Sequence, residues 1–124
     1  MAFLYIDLDL FKIINDTKGH AVGDVTLQEV ANRLRASTRD IDVSARLGGD
    51  EFAVIMVGLS GESQISDIAK KILKAIKMPY KLGNSTYHLS ASIGISVYPQ
   101  DGDNVSELIK IADEAMYRVK KSGK

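Results

Sequence analysis

Apolar and polar positions along the chain alternate with two periods, and the switches between them outline the elements. Residues 3–9, FLYIDLD, are rich in aromatic and branched side chains and predict a strand. Leu4, Ile6 and Leu8 share one face, and Phe3, Tyr5, Asp7 and Asp9 share the other. LFKIIND predicts a short helix before the turn residues TKGH, and a longer helix is expected from about Asp24, with Leu27, Val30, Ala31 and Leu34 at helical spacing. VSARL and EFAVIMV flank two glycines as the arms of a hairpin. In SQISDIAKKILKAIK, Ile65, Ile68, Ala69, Ile72, Leu73 and Ile76 form a helical stripe that leaves four lysines outside it, and Pro79 helps to end the helix. YHLSASIGISVYP alternates strictly: Leu89, Ala91, Ile93, Ile95 and Val97 face one way, serines and Gly94 the other. It reads as a half-buried strand, with a hairpin partner near Tyr80 to Leu82 across the LGNS turn. Asn104 with Glu107 marks a capped helix start, followed by the stripe Leu108, Ile111, Ala112, Ala115, Met116 and Val119.

The resulting order is strand, helices, strand, strand, helix, strands, helix. One-sided helices must bury their stripes against sheet faces, so the expected fold is an α+β sandwich of the ferredoxin-like kind. If the first strand runs up and a helical crossover returns the chain, the next strand rises in the same direction. The tip of its hairpin then lies at the same end of the sheet as the exit of the first strand. Two acidic clusters, Asp7 with Asp9 and Asp50 with Glu51, are thereby expected at one edge.

Composition narrows the chemistry. The 124 residues suffice for one domain with its own core. Sixteen basic and sixteen acidic residues cancel, so no general cationic field points to nucleic acid or an anionic membrane. There is no cysteine, which removes disulfide and thiolate chemistry, and His20 and His88 are too far apart in sequence to suggest a zinc pair. No apolar run reaches the roughly 18 residues of a membrane helix.

Convergent carboxylates stay ionised at short range only if a cation compensates them. Their hard oxygens suit Mg²⁺, which takes one or two carboxylates and leaves its remaining positions to water and phosphate. Gly48 and Gly49 carry no side chain, so backbone N–H groups can approach a phosphate closely. Each cluster alone reads as an ordinary turn or solvated strand exit; together, at one edge, they predict a metal-held triphosphate. Phe52 is expected in the core, Gly94 at a bulge or close packing, and His20 in a structural turn between helices.

GGDEF at residues 48–52 stands after DLDLFKIINDTKGHAVGD and before ASIGISVYPQDG and ADEAMYRVKKSGK. In that order these blocks closely resemble the GGDEF domain of bacterial diguanylate cyclases, over essentially the whole chain. The resemblance implies a nucleotidyl-cyclase-like sheet, mostly antiparallel and flanked by helices. It also implies condensation of two GTP into cyclic di-GMP and pyrophosphate across an antiparallel pair of domains. Carried over by motif, Asp7, Asp50 and the backbone carbonyl of Leu8 would hold Mg²⁺ or Mn²⁺. Glu51 would assist metal binding or activate the attacking hydroxyl. Asn15 and Asp24 match the guanine-reading pair, and Lys12, Lys120, Gly48 and Gly49 match phosphate contacts. Without the motif, Asn15 and Asp24 would read as turn or cap residues and the lysines as surface charges.

Arg39 and Asp42, in RDID, match by their offset from the glycines the site at which product inhibits this family. A lysine stands where the family commonly has a phosphate-binding arginine, which keeps charge but loses a bidentate contact. The resemblance also implies that an upstream segment and a closing strand lie outside residues 1–124. The stretch is therefore expected to be one domain of a longer protein with sensory or phosphodiesterase domains, facing the cytoplasm whether or not the parent is membrane-anchored. By itself it is expected to bind nucleotide better than it turns it over. The alternative is a non-catalytic domain that senses GTP or cyclic di-GMP and regulates an attached partner domain.

Overall fold

A computed structural model describes residues 1–82 and 84–122. Its elements are β1 (Ala2–Asp9), α1 (Phe11–Lys18), α2 (His20–Ser37), β2 (Val43–Gly48), β3 (Glu51–Met56), α3 (Glu62–Lys77), β4 (Tyr80–Leu82), β5 (Ser85–Tyr87), β6 (Ser90–Val97) and α4 (Val105–Lys121). The main sheet has the order β2-β3-β1-β6, with every neighbouring pair antiparallel. This is the ferredoxin-like arrangement, and the α+β expectation holds. Since β1 and β2 each run antiparallel to β3, they point the same way, as the crossover argument required.

Period-two alternation assigns the two faces of β1 correctly, but both are covered. Leu4, Ile6 and Leu8 join Phe52, Val54 and the stripes of α1, α2 and α3 in the larger core. Phe3 packs with Ala53 and with Ala112 of α4 on the other face, beside Tyr5 and Ile55. Each large apolar side chain buried in this way contributes roughly 1.5–3 kcal/mol of transfer free energy.

The strand predicted over YHLSASIGISVYP differs in two ways. It is interrupted at His88 and Leu89: Ser85–Tyr87 pairs with Tyr80–Leu82 in a separate hairpin, while Ser90–Val97 joins the main sheet. Gly83 of the LGNS turn lies outside the described residues. Nor is β6 half-buried, because its small-residue face receives α4. The Ser96 hydroxyl donates to the Leu108 carbonyl at 2.7 Å. A Cβ at Gly94 would collide with the backbone of Ala112 and Met116, so Gly94 marks a close approach, and the β1–β6 register runs past it without a bulge. Small polar residues there mean room for a helix, not exposure to solvent.

The break between the first two helices is shorter than TKGH suggested. Thr17 and Lys18 complete α1, His20 opens α2, and Gly19 alone, at φ 92°, redirects the chain. His20 is thus helical rather than part of a turn. Asn15 and Asp24 both lie inside helices and cap neither. At α4 the expected cap is present: the Glu107 amide donates to Asn104 Oδ1 at 3.0 Å, and Glu107 Oε1 accepts from Asn104 Nδ2 at 3.1 Å. Leu108, Ala112 and Met116 of the α4 stripe are buried, whereas Val119 near the end of the helix is exposed.

Candidate active site

The β1–β3 register runs from Ala2↔Met56 to Asp7↔Glu51, which puts the two acids side by side across the ladder. One further bond, from the Leu8 amide to the Asp50 carbonyl at 3.0 Å, ties the hairpin tip to the exit of β1. The two acidic clusters, more than forty residues apart in sequence, therefore share one edge. Gly48 (φ 148°) and Gly49 (φ 51°) form the tip, and nothing lies within 4 Å of where a Cβ would stand on either. The backbone of the tip is open to approach, while positive φ at Gly49 disfavours other residues there. Beyond Asp9, Leu10 turns the chain into α1 with the unusual left-handed φ of 69°.

The electrostatics of this edge are unbalanced. Asp7 is 9% exposed; Lys120 Nζ donates to its Oδ2 at 2.5 Å, but its Oδ1 is buried and has no hydrogen-bond partner among the described residues. The Asp50 carboxyl is held above the ordinary aspartate range, first by burial and then by the negative charge of Asp7. Lys120 is raised, chiefly by its hydrogen bond to Asp7, and lies 3.8 Å from Asp9 Oδ1. Asp9 also accepts from the Ser92 hydroxyl at 3.2 Å. Lys120 brings one positive charge to the two carboxylates of Asp7 and Asp50. An orphaned carboxylate oxygen beside a second carboxylate with raised proton affinity suits a hard divalent cation. No group of three or more His, Cys, Asp or Glu side chains converges as a metal cage among the described residues. The one or two carboxylates that Mg²⁺ usually takes from protein are present.

Of the other predicted residues, Leu8 lies at the same edge with its side chain in the core, its amide committed to Asp50. The Asn15 side chain lies directly over the Cα of Gly23, where a Cβ would overlap its Oδ1. That places the Asn15 amide next to the residue preceding Asp24. Asp24 is exposed and lines a pocket of about 280 Å³ with Leu27, Gln28, Ala31, Arg46 and Phe52. Lys12 is exposed on α1.

Arg39 and Asp42 are not at this edge. They precede β2, whose far end carries Gly48, so roughly 17 Å of strand separates the two regions. Arg39 donates to both Asp42 oxygens, from Nε at 3.0 Å and from Nη2 at 2.6 Å, and Nη2 also reaches the Val57 carbonyl at 2.6 Å. The Asp42 side chain is fully buried, and its pKa is depressed, chiefly by that hydrogen bond from Arg39.

Three contributions escaped the motif reading. Arg46 donates from Nε and Nη2 to the Gly49 carbonyl, at 3.0 and 2.8 Å, and so fixes the hairpin tip. Alternation places Asp9 on the face of Asp7, but its bonding to Ser92 depends on the β1–β6 register. The Tyr5 hydroxyl donates to Glu51 Oε1 at 3.0 Å. Strand alternation puts Tyr5 on the face of Asp7; nothing in the sequence pairs Arg46 with Gly49.

Comparison with known proteins shows the family. The chain matches the family described as diguanylate cyclase, GGDEF domain, over residues 1–124, and it belongs to that family. It is 46% identical to the bifunctional diguanylate cyclase/cyclic di-GMP phosphodiesterase MucR of Pseudomonas aeruginosa, across 99% of this chain and 18% of that protein. It is 39% identical to the cyclic di-GMP phosphodiesterase NbdA of the same species, across 100% of this chain and 16% of that protein. The chain thus spans less than a fifth of the length of either relative. The crystal structure of the GGDEF domain of PA1120 (YfiN or TpbB) from P. aeruginosa superimposes with a TM-score of 0.94 at 43% identity, covering 98% of this chain and 76% of that one. Among the described residues no helix is long and apolar enough to cross a membrane.

Proposed function

We propose that this domain condenses two GTP molecules into cyclic di-GMP and pyrophosphate, each GTP held by one member of an antiparallel domain pair. The observation that carries the reading is the joining of Asp7, Asp50 and Glu51 at one edge beside an open glycine tip. In the reaction the 3'-hydroxyl oxygen of each GTP bonds to the α-phosphorus of the other, giving up its proton, and at each centre the bond to the β-phosphate bridge breaks, so that two pyrophosphates leave. Asp7 and Asp50, with the Leu8 carbonyl, are the groups to hold Mg²⁺ or Mn²⁺. When bound, such an ion neutralises the triphosphate and the charge developing on the leaving group.

Glu51 is placed next to Asp7, either to support that ion or to take the proton of the attacking hydroxyl. Asn15 and Asp24 are assigned to the guanine, whose N1–H and amino donors suit a carboxylate acceptor. The open backbone at Gly48 and Gly49 and the ammonium groups of Lys12 and Lys120 are assigned to the phosphates. Arg39 and Asp42, away from the acidic edge, are assigned to product-mediated feedback inhibition.

A second reading rests on NbdA, a relative named as a phosphodiesterase that contains a matching segment: the domain senses GTP or cyclic di-GMP and regulates an attached domain. Incubating the full-length parent with GTP and Mg²⁺, with product read by mass, separates the two. Cyclic di-GMP formation that disappears in Glu51→Ala supports the cyclase. Tight nucleotide binding without turnover in the intact parent supports the sensor.

A further inference from the structure

We propose that Tyr5 is a positioning residue for Glu51: its hydroxyl holds one carboxylate oxygen so that the other is presented to the reacting groups at the acidic edge. The inference rests on the cyclase reading and assigns a role to a side chain outside the signature.

The geometry follows from the sheet. Tyr5 lies two residues before Asp7 on the same face of β1, and the register places it opposite Ala53 of β3 and Gly94 of β6. Both neighbours are small, which leaves space for the ring between them, and the Phe3 ring packs against it at 6.3 Å with a 58° tilt. Glu51 is then the diagonal cross-strand neighbour, within reach of a long side chain. The Tyr5 hydroxyl meets Glu51 Oε1 at 3.0 Å in a partly buried contact.

A phenol is uncharged near neutral pH, so Tyr5 donates a hydrogen bond without adding charge beside the acids of this edge. A hydrogen bond to a charged acceptor is stronger and more directional than a neutral one. It restricts a glutamate that would otherwise sample several rotamers at a hairpin tip. Ring packing alone would explain a phenylalanine at this position; the hydroxyl aimed at a signature acid requires a further reason.

The test uses the full-length parent. Tyr5→Phe keeps the ring and removes only the hydroxyl, and is expected to lower kcat roughly tenfold while KM for GTP changes by less than about twofold. In a Glu51→Asp background, where the shortened side chain no longer reaches the phenol, the same change should cost less than about twofold. A second cycle on thermal midpoints, pairing Tyr5→Phe with Glu51→Ala, should show non-additivity. Unchanged kcat in Tyr5→Phe, an equal loss in the Glu51→Asp background, or additive midpoints would each overturn the proposal. A wild-type parent that forms no product counts against the cyclase reading instead, and the thermal cycle still decides whether the contact exists.

Discussion

The two ends of β2 hold charged groups under opposite conditions. At its start, Asp42 is fully buried, yet each of its oxygens is met by Arg39, and the pair closes on itself. At its end, Asp50 lies beside Asp7, which pairs with Lys120 and has one oxygen without a partner among the described residues. Folding has satisfied the first group and left one oxygen of the second without a partner among the described residues. Burial therefore does not by itself mark a functional acid; the informative sign is burial without internal compensation.

The contrast is broken most directly by activity. Asp7→Asn and Asp50→Asn each remove a charge proposed to hold the divalent ion, so cyclic di-GMP formation by the full-length parent should fall by at least about 100-fold. Turnover within about tenfold of wild type in both variants would remove the acidic edge from the chemistry.

Stability gives opposite signs for one substitution at the two ends. Asp42 is depressed in the folded state, so its contribution is present above the ordinary aspartate value of about 3.9 and is lost as pH falls through its lower folded value. Asp42→Asn should accordingly destabilise the domain at pH 7, by about 2 kcal/mol for a hydrogen-bonded buried charge. Asp50 is raised, so its stabilising share exists below the ordinary value and vanishes as pH rises through the higher folded one. Without divalent ion, Asp50→Asn should raise Tm at pH 7 by a few degrees. Both differences should shrink toward pH 3, and denaturation curves at the two pH values in EDTA check this. Equal signs at pH 7 would collapse the comparison.

The smallest effect expected is on regulation. If product binds at the proposed Arg39 site, Arg39 has to leave Asp42 or offer its remaining edge, which makes the proposed feedback costly to engage. Arg39→Ala should weaken cyclic di-GMP affinity and inhibition roughly tenfold; unchanged inhibition would leave Arg39 and Asp42 as a structural clasp.

Much of the fold could be read from periodicity, because stripes and alternation record which side of an element must leave water. Phe52 in the core, the stripe of α3 and the cap at Asn104 all follow from local rules. Local rules mislead where small residues imitate solvent-facing ones. Gly94 and Ser96 look like an exposed edge of alternation, yet they are small because α4 packs on them. Likewise the Thr17 to His20 segment reads as a turn, while a single glycine at positive φ lets both helices run to its flanks.

The candidate site divides in the same way. Residue types and spacing settled the family, the two acidic clusters and the glycine tip, since these are properties of short segments and their order. Register and packing decided the partners: Asp7 beside Glu51, Lys120 against Asp7 from the far end of the chain, Arg46 on Gly49, Tyr5 on Glu51. Such pairings depend on how strands align and how closely a helix approaches a sheet. Those quantities are set by the packing of the whole core, and no local pattern of residues encodes them.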